Sequence, residues 1–496
     1  MPMISHILKS IATVILLLVL LIVFFAVYRY LSFGQTDNAD RVASKEEYLS
    51  RIKNMPLPVD APNILFILYD DMGYGDLGAG KAATSSIQTP NLDALAEAGV
   101  VLSDFYSPAA VCTPARAGYL TGRLAPRAGL PNVVFPSGSP EEFMLSKVMN
   151  PDINVRLPEE EITLAELVLA AGYRTAMVGK WHLGDVSPSL PNDRGFQEFF
   201  GSRYSNDMEP FALYRDEEIE IPAPADQRRL TEWYTREAVA FVEADEQPFF
   251  LYFAHNFPHD PLYASVERSG NSSAGLYGDV LEEIDDGIGK IVASLRSTGK
   301  LKNTLIIITS DNGPWFQGSA GGRRGRKGNT FEGGMRVPFI AHWPAAIPPG
   351  RAERTMTMGV DLLPTVLDIL QLPAPADRAL DGCSLLPALV EGGASAHEYL
   401  YFIDGQQLFA VRDQRFKYRG PEGVFYSTDQ MKIGFAMPQK EWLFDLDLDP
   451  QESYDVSARY PEVLARLREA FELKREAMLA NARGWDEKGN CRPPAI

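Results

Sequence analysis

The central part of the chain is patterned by four short apolar runs separated by amphipathic stretches. Each run is bounded by Pro, Gly or charged residues and has the length of a strand buried on both faces. The runs are NILFILYDD (63–71), RTAMVGKWH (174–182), PFFLYFAHNFPH (248–259) and NTLIIITSDNG (303–313). Helical periodicity lies between them, at 163–172 and 278–300. This alternation predicts an α/β fold with a doubly wound, mostly parallel sheet.

The pattern changes towards the C-terminus. The segment DLLPTVLDIL (361–370) is periodic as a helix, and the chain then turns to short strand-like pieces such as 408–420 and a last helix near 460–480. A chain of 496 residues exceeds one average domain. We therefore expect a main α/β domain at 62–379 and a smaller α+β subdomain at 380–496.

The N-terminus carries an uninterrupted apolar segment. No charged residue occurs from Ile11 to Tyr28, which is long enough to cross a bilayer. The sequence YRYLSFG that follows has no small-residue cleavage site of the kind that ends a signal peptide. We expect an uncleaved membrane anchor, one transmembrane helix, within 1–34, followed by a polar linker at 35–61.

The charges around this anchor bear on its orientation. Lys9 precedes the apolar segment, whereas Arg29, Arg41 and Lys45 follow it. Because positive flanks stay in the cytoplasm, this asymmetry favours a cytoplasmic location for the rest of the chain.

Net charge limits the partners of the protein. The formal net charge is -18, so the surface repels nucleic acid and we expect no nucleic-acid partner. A small anionic substrate would be repelled at long range as well. Its site would need a local cluster of basic side chains.

Cysteine is rare, with only 3 residues, so one disulfide at most is possible and one thiol is left over. No spacing suggests zinc. We expect Cys383, in an apolar turn, to be an inert buried thiol and Cys491 to lie near a flexible terminus. Cys112 stands before Pro114 and Arg116 at a predicted helix start. It is the reactive candidate, with a buried inert thiol as the alternative.

Polar side chains follow each of the four predicted strands. In parallel sheets, ligands bind beyond the carboxyl ends of the strands. Any one of these residues alone is often a turn residue or a helix cap. Their coincidence at strand ends predicts one shared site, formed by Asp70, Asp71, Lys180, His182, His255, His259, Asp311 and Asn312.

The acidic members of this set predict a metal site. Three carboxylates and an amide oxygen are hard ligands that suit Ca²⁺, and Mg²⁺ less well. The adjacent carboxylates of Asp70 and Asp71 need a cation if they converge. The proposed ligands are Asp70, Asp71, Asp311 and Asn312.

A basic, glycine-rich run stands out in this acidic chain. It reads GGRRGRKGNTFEGG (321–334) and contains Lys327. It is either a solvated loop or, with Arg116 and Lys180, a source of positive charge at the site. Cations of this kind stabilise the negative charge of a sulfuryl or phosphoryl transition state.

With these residues in place, the chain resembles the sulfatase family of the alkaline-phosphatase-like superfamily over nearly all of 62–460. The arylsulfatase A-like and N-acetylgalactosamine-sulfatase-like branch is the most similar. The motifs that carry the resemblance are CTPAR (112–116), LTGR (120–123), GKWHLG (179–184), YSND (204–207), AHNFPHDP (254–261), TSDNGP (309–314), RKGNTFEGGMRVP (326–338), DGCSLLPAL (381–389) and LFDLDLDPQE (443–452).

The resemblance implies a chemistry for Cys112. In sulfatases this cysteine is oxidised by a formylglycine-generating enzyme to formylglycine (3-oxoalanine), and its hydrated aldehyde attacks the sulfur of a sulfate ester beside Ca²⁺. The second hydroxyl then expels sulfate, so water need not attack the sulfated enzyme. Ala115 stands where many members have Ser, which bears on the efficiency of conversion.

The resemblance also assigns roles by position. Residue 112 joins the four metal ligands named above, and Arg116 supports the hydrated aldehyde. Lys180 and Lys327 hold the sulfate oxygens, and Ser205 contacts the substrate. His182 is the base for sulfate release, and His259 rather than His255 assists the leaving oxygen. The substrate is then an aryl or carbohydrate sulfate.

Two rival interpretations stay open. A phosphonate or phosphodiester hydrolase shares this fold, and a membrane-anchored protein whose Cys112 stays a thiol would be catalytically silent. The family also implies an extracytoplasmic location, periplasmic or extracellular, against the count of flanking charges.

Overall fold

The computed structural model describes residues 2–35, 37–78, 86–149, 153–421, 424–426, 435–437, 440–487, 489 and 491. Its helices are α1 (Pro2–Ser32), α2 (Ala39–Lys53), α3 (Pro90–Glu97), α4 (Cys112–Thr121), α5 (Leu164–Ala170), α6 (Leu230–Glu243), α7 (Gly275–Ser297), α8 (Glu332–Met335), α9 (Leu362–Ile369), α10 (Leu386–Val390) and α11 (Pro461–Ala480). Its strands are β1 (Asn63–Tyr69), β2 (Val100–Leu102), β3 (Phe105–Tyr106), β4 (Arg174–Gly179), β5 (Glu198–Gly201), β6 (Leu213–Arg215), β7 (Glu218–Ile221), β8 (Phe249–Ala254), β9 (Thr304–Ser310), β10 (Phe339–His342), β11 (Arg351–Glu353), β12 (Thr357–Met358), β13 (Leu400–Asp404), β14 (Gln407–Arg412), β15 (Phe416–Arg419), β16 (Val424–Tyr426), β17 (Phe435–Met437) and β18 (Trp442–Asp445).

The four predicted strands form the centre of a 10-stranded sheet of order β11-β2-β10-β9-β1-β8-β4-β5-β6-β7. Strand β1 pairs in parallel with β9 and β8, and β4 pairs in parallel with β8 and β5. Antiparallel pairs occur towards both edges, at β10 and β6. The predicted doubly wound, mostly parallel fold is confirmed.

Alternate side chains of β1 enter different cores, as a strand covered on both faces requires. Ile64, Phe66 and Leu68 pack with helices α2, α4, α5 and α9. Leu65 and Ile67 pack with α3, α6 and α7 on the opposite face. The continuous apolar runs are therefore a consequence of two helical layers around one sheet.

The C-terminal part adds a 4-stranded antiparallel sheet of order β13-β14-β15-β18, covered by α11. Lys417 of β15 is fully buried and pairs with Glu332 at 3.0 Å and with Glu452 at 3.1 Å. This ion cluster joins the small sheet to α8 of the main domain. The expected smaller α+β unit is present.

The N-terminal segment forms one long helix, α1. From Lys9 to Leu31 its mean hydropathy is 3.2 and none of it is buried against the protein. The segment after α1, at 35–61, was predicted to be a polar linker. It contains α2, which packs on the main α/β domain. Ile52 of α2 is buried, and Tyr48 Oη donates a hydrogen bond to the carbonyl of Pro373 at 2.7 Å.

The expectation for two of the cysteines was wrong. Cys383 and Cys491 form a disulfide across a separation of 108 residues, with their Cα atoms 5.4 Å apart. Cys383 is therefore not an inert thiol, and Cys491 is covalently tied to the body. The turn that holds Cys383 lies against the end of α4, because the amides of Asp381 and Gly382 both donate to the carbonyl of Gly122.

Candidate active site

The carboxyl ends of β1, β4, β8 and β9 bring the predicted polar residues together. Most of these side chains join one network of hydrogen bonds and ion pairs around the first turn of α4. The network contains Asp70, Asp71, Cys112, Arg116, Lys180, Ser205, His259, Asp311, Asn312 and Lys327. His182 lies beside it, whereas His255 is turned away.

Cys112 occupies the first position of α4 and is buried. Its thiol donates to Asp70 Oδ1 at 3.4 Å. Burial, together with the negative charge of Asp70, raises the pKa of the thiol far above its usual range. Cys112 is therefore a neutral thiol and not the thiolate that acts as a nucleophile in cysteine hydrolases.

Asp70 is held by two cations. Its Oδ2 lies 2.5 Å from Lys180 Nζ and 3.5 Å from Arg116 Nη2, and all three side chains are fully buried. Burial opposes the charge of Asp70, but the nearby positive charges, Lys180 foremost and Arg116 among them, together outweigh that cost and keep the pKa of the carboxyl well below its usual range. Asp70 therefore stays ionised beside Cys112.

Arg116 clamps the opposite side of the site. Its Nε and Nη2 donate to Asp311 Oδ2 at 3.0 and 2.9 Å, and its Nη1 donates to the carbonyl of Lys180 at 2.6 Å. The guanidinium thus links the end of β4 to the end of β9 and fixes where both acids lie. Its place beneath the acids, one helical turn after Cys112, makes it a support for the site.

Asp71 is buried on the side of the network where Lys327 and His259 lie. Its Oδ2 lies 2.8 Å from Lys327 Nζ, and its Oδ1 accepts from Asn312 Nδ2 at 2.6 Å. The backbone of Asp71 has a φ of 68°, a left-handed conformation that is uncommon outside glycine. A hydrogen bond from its amide to Asp311 Oδ1 at 3.1 Å holds this conformation. Strain of this kind concentrates at functional sites.

The donor set fits a hard divalent cation. Ligand atoms of Asp70, Asp71, Cys112 and His259 all lie within 4.8 Å of one another. Asn312 Oδ1 is buried and has no hydrogen-bond partner among the described residues. Burial and the neighbouring charge of Asp70 raise the pKa of Asp311. Crowded carboxylates and an unpaired amide oxygen are satisfied together by a cation such as Ca²⁺.

His259 and Ser205 stand at the edge of the network. Ser205 Oγ lies 3.1 Å from Lys180 Nζ and 3.5 Å from the ring nitrogens of His259. Burial, and then the charge of Lys327, lowers the pKa of His259. Side-chain exposure is 11% for His259 and 16% for Lys327, against 0% for Lys180. The network is therefore most open to solvent on the side of His259 and Lys327.

Asn206 is a site residue that the sequence analysis did not single out. Its Oδ1 lies 3.0 Å from His259 Nδ1, while its Nδ2 donates to Gln227 Oε1 and to the carbonyl of Pro261. Because the amide nitrogen is engaged, Oδ1 must accept the proton of Nδ1, which leaves Nε2 of His259 towards the site. The signal was the motif YSND, in which Asn206 adjoins Ser205.

His182 and His255, the remaining histidines of the predicted site, lie in different surroundings. His182 is buried with a φ of 62°, and its Nε2 lies 3.1 Å from the carbonyl of Val134. Its Nδ1 has no hydrogen-bond partner among the described residues. Burial, with Lys180 next, lowers the pKa of His182 well below its usual range. His255 is bound by Thr231 and the amide of Phe257, so it serves the fold.

Comparisons with known proteins agree with this site. The sulfatase family profile matches residues 62–372, and the profile of the C-terminal part of N-sulphoglucosamine sulphohydrolase matches 326–477. N-acetylgalactosamine-6-sulfatase of Sus scrofa is 35% identical over 477 residues, which cover 88% of this chain and 89% of that protein. Arylsulfatase A of Homo sapiens is 33% identical over 487 residues, which cover 88% and 92%.

A solved sulfatase structure has the same fold as this chain. The PsFucS1 sulfatase from Pseudoalteromonas sp. superimposes with a TM-score of 0.74 at 27% identity, covering 88% of this chain and 94% of that one. Fold and site together define a hydrolase with the alkaline-phosphatase-like architecture. The chain belongs to the sulfatase family, and its reaction is the hydrolysis of sulfate esters.

Proposed function

We propose that the sulfatase acts through a formylglycine made from Cys112 by a formylglycine-generating enzyme. The observation that carries this proposal is the state of the thiol. It is buried, neutral and hydrogen-bonded to Asp70, so it is a poor nucleophile as it stands. Residue 112 would hold this group at the start of α4 beside Asp70, and the hydrated aldehyde would provide the nucleophile that the thiol cannot.

We propose Ca²⁺ as the metal, in preference to Mg²⁺. Asp70, Asp71, Asp311, Asn312 and residue 112 would hold it, and the unpaired Oδ1 of Asn312 supports this assignment. The ion would supply positive charge for the nucleophile and the sulfate oxygens. It would also relieve the repulsion between the converging carboxylates.

The surrounding side chains would bind and polarise the sulfate group. Lys327 and Lys180, which pair with Asp71 and Asp70, would donate hydrogen bonds to its oxygens and offset the negative charge of a sulfate monoester. Ser205, between Lys180 and His259, is placed to contact the substrate. Arg116 keeps the two acids in place beneath the nucleophile.

Proton transfer would fall to the two histidines. His259, at the open edge with Nε2 towards the site, is placed to protonate the leaving oxygen. His182 is buried and neutral, and its Nδ1 is free of hydrogen bonds among the described residues, so it is equipped to act as a base in sulfate release. The role of His182 needs the neutral imidazole that its surroundings favour. His259 would have to take up a proton on Nε2, against its lowered pKa, before it gives one to the leaving oxygen.

We propose an aryl or carbohydrate sulfate as the substrate. The curated relatives named above are a sulfatase of N-acetylgalactosamine 6-sulfate groups and an arylsulfatase. A phosphonate or phosphodiester hydrolase is the rival within this fold. The described site has one cluster of metal-ligand residues and two lysines, which favours a singly charged group over a phosphate monoester. A phosphodiester carries the same single charge as a sulfate monoester, so comparison of the two turnover rates is what separates the sulfatase from this rival.

We propose that α1 is a membrane anchor and that the body lies outside the cytoplasm. The apolar span of α1 supports the anchor. The disulfide between Cys383 and Cys491 supports an oxidising compartment, because such bonds are rare in the cytoplasm. The disulfide is stronger evidence of the compartment than the few charges that flank α1. Protease protection of the body in intact cells would test the location.

One experiment tests the catalytic proposal. Intact-peptide mass across residue 112 is measured on the native protein, and turnover of aryl sulfate is compared with turnover of a phosphonate monoester. We expect a peptide mass that fits formylglycine at residue 112 and faster turnover of the aryl sulfate than of the phosphonate. In Cys112→Ala we expect neither the formylglycine mass nor sulfate turnover. An unmodified thiol in an inactive protein would favour the silent interpretation, and preferential phosphonate turnover would favour the rival hydrolase.

A further inference from the structure

Asp207 is an exposed acid at the open side of the active site. It directly follows Ser205 and Asn206, which are both buried, and Asn206 Oδ1 lies 3.0 Å from His259 Nδ1. The amide of Met208 donates to the carbonyl of Ser205 at 3.1 Å, so the chain makes a tight turn here. The turn fixes Asp207 to the site and leaves its side chain at the mouth.

Asp207 carries its charge next to the groups that would bind the sulfate. Partial burial of the carboxyl opposes its ionised form, but the charges of His259 and Lys180, with a smaller effect of Lys327, lower its pKa. Because His259 is also placed to protonate the leaving oxygen, the alcohol part of a substrate would lie on this same side of the site. A fixed negative charge therefore stands beside the position of the alcohol part.

A second acid and two aromatic rings belong to the segments that leave the site. Asp260 follows His259, is half-buried, and accepts a hydrogen bond from Gln317 Nε2 at 3.0 Å. This bond joins the segment after β8 to the segment after β9. Phe316 and Tyr263, on the two joined segments, are 37% and 38% exposed. These segments therefore present carboxylates and apolar rings next to the open side of the site.

The arginines of the basic run at 321–334 are engaged by the protein itself. Arg326 Nη1 donates to two backbone carbonyls at 2.8 and 2.7 Å, and Arg324 Nη1 donates to the carbonyl of Glu452 at 3.1 Å. The guanidinium of Arg323 lies over the ring of Tyr74, 3.8 Å from its centroid. A second anion on a substrate would therefore have to compete with these contacts for each of the three guanidinium groups.

We propose that Asp207 is a specificity-determining residue that excludes a second negative charge from the alcohol part of the substrate. The substrate class is then a sulfate ester whose alcohol part is an uncharged ring. This inference rests on the proposed binding of the sulfate group by Lys180 and Lys327. Like charges repel strongly in a partly desolvated site, and a repulsive group discriminates between ligands as well as an attractive one does.

Two esters of nearly equal shape test the proposal on the full chain. They are 3-carbamoylphenyl sulfate and 3-carboxyphenyl sulfate, which differ by one negative charge. The readout is the ratio of their kcat/KM values on one preparation, which does not depend on the fraction of protein that is active. Asp207→Asn removes the charge and Asp207→Glu keeps it. Asp60→Asn is the matched control, because Asp60 is exposed and precedes β1, at the edge of the sheet opposite the site.

We expect the wild type to prefer the neutral ester, and Asp207→Asn to reduce that preference about 5-fold. Asp207→Glu and Asp60→Asn should both keep it. An unchanged ratio in Asp207→Asn, an equal reduction in Asp60→Asn, or a wild-type preference for the carboxylate would each refute the role of Asp207 and leave the sulfatase reaction intact. A wild type that hydrolyses neither ester would overturn the proposed function and this inference with it.

Discussion

Lys180 Nζ lies 2.5 Å from Asp70 Oδ2, and neither side chain is reached by solvent. The two residues follow β4 and β1, which flank β8 in the sheet, so the ion pair forms across a whole strand. A buried charge that loses its partner is strongly destabilised. The pair therefore couples the stability of the fold to the charge of the active site.

Lys180→Met should damage both stability and activity. Of the two cations that pair with it, Asp70 would keep only the more distant Arg116. We expect a loss of about 3–5 kcal/mol in the free energy of unfolding, as for other broken buried pairs. Sulfate ester turnover should fall by at least about 100-fold, because a donor to the developing charge is removed. Urea unfolding and aryl sulfate hydrolysis are the measurements.

The exposed Lys302→Met is the matched control and should change neither quantity. Adding Asp70→Asn to Lys180→Met should restore part of the stability and none of the turnover. If Lys180→Met alone left the free energy of unfolding unchanged, Lys180 and Asp70 would not be paired in solution.

Asn206→Leu should lower the turnover number about 10- to 100-fold with little effect on folding, because His259 would lose the hydrogen bond that orients its ring. Thr231→Val is the matched control, since it removes the equivalent bond to His255, which faces away from the site. Steady-state kinetics of both variants decide the point. Equal losses in the two variants would assign Asn206 a purely structural role.

The fold and most of the site follow from local pattern. Buried parallel strands have to be apolar throughout, so the residues at which polarity returns mark their carboxyl ends, where parallel strands share one edge. That rule placed Asp70, Lys180 and Asp311 together before any contact was known. The residues at these strand ends do not contact the alcohol part of a substrate by any pattern visible in the sequence. The rule therefore does not predict which sulfate ester is hydrolysed.

Contacts between distant segments were beyond that rule. The disulfide of Cys383 and Cys491 depends on how the C-terminal tail passes the end of α4, which no local periodicity encodes. The role of Asn206 depends likewise on a ring supplied by the segment after β8. The packing of α2 was missed because its polar face dominates its composition, although Tyr48 and Ile52 are buried.

Removing the disulfide should destabilise the protein by about 2–4 kcal/mol, because it closes a long loop. Cys383→Ala, Cys491→Ala and the double variant should unfold at the same, lower temperature, since each breaks the same bond. Thermal unfolding in detergent measures this, and thiol titration of the denatured wild type counts free cysteines. Free thiols at both 383 and 491 in the wild type would contradict the bond.

Chelation of the metal should lower stability as well as activity. A ligand that binds only the folded state adds about 2.7 kcal/mol at a concentration 100 times its dissociation constant. We expect EDTA to lower the unfolding temperature and Ca²⁺ to restore it at lower concentration than Mg²⁺. Asn312→Leu should weaken this response to Ca²⁺. An unfolding temperature that ignores both EDTA and Ca²⁺ would contradict a metal site.

The contact of His397 with Asp361 should make stability depend on pH. His397 Nε2 lies 2.7 Å from Asp361 Oδ1. Burial opposes the charge of His397, but Asp361 outweighs it and raises the pKa of the imidazole above its usual range. The stabilisation is therefore complete below the unfolded pKa and is lost as the pH rises through the folded pKa. His397→Gln should cost about 1–3 kcal/mol at pH ~5.5 and clearly less at pH ~9.

His342 supplies a control with the opposite sign. Burial, and then Arg296, lowers its pKa, so the folded state resists its protonation and pays for that as the pH falls. His342→Gln should therefore be better tolerated at pH ~5.5 than at pH ~9, the reverse of His397→Gln. Unfolding of both variants in urea at the two pH values is the measurement. Because Asp361 raises the pKa of His397 whereas burial and Arg296 lower that of His342, parallel pH trends would refute the charge of His397 as the cause.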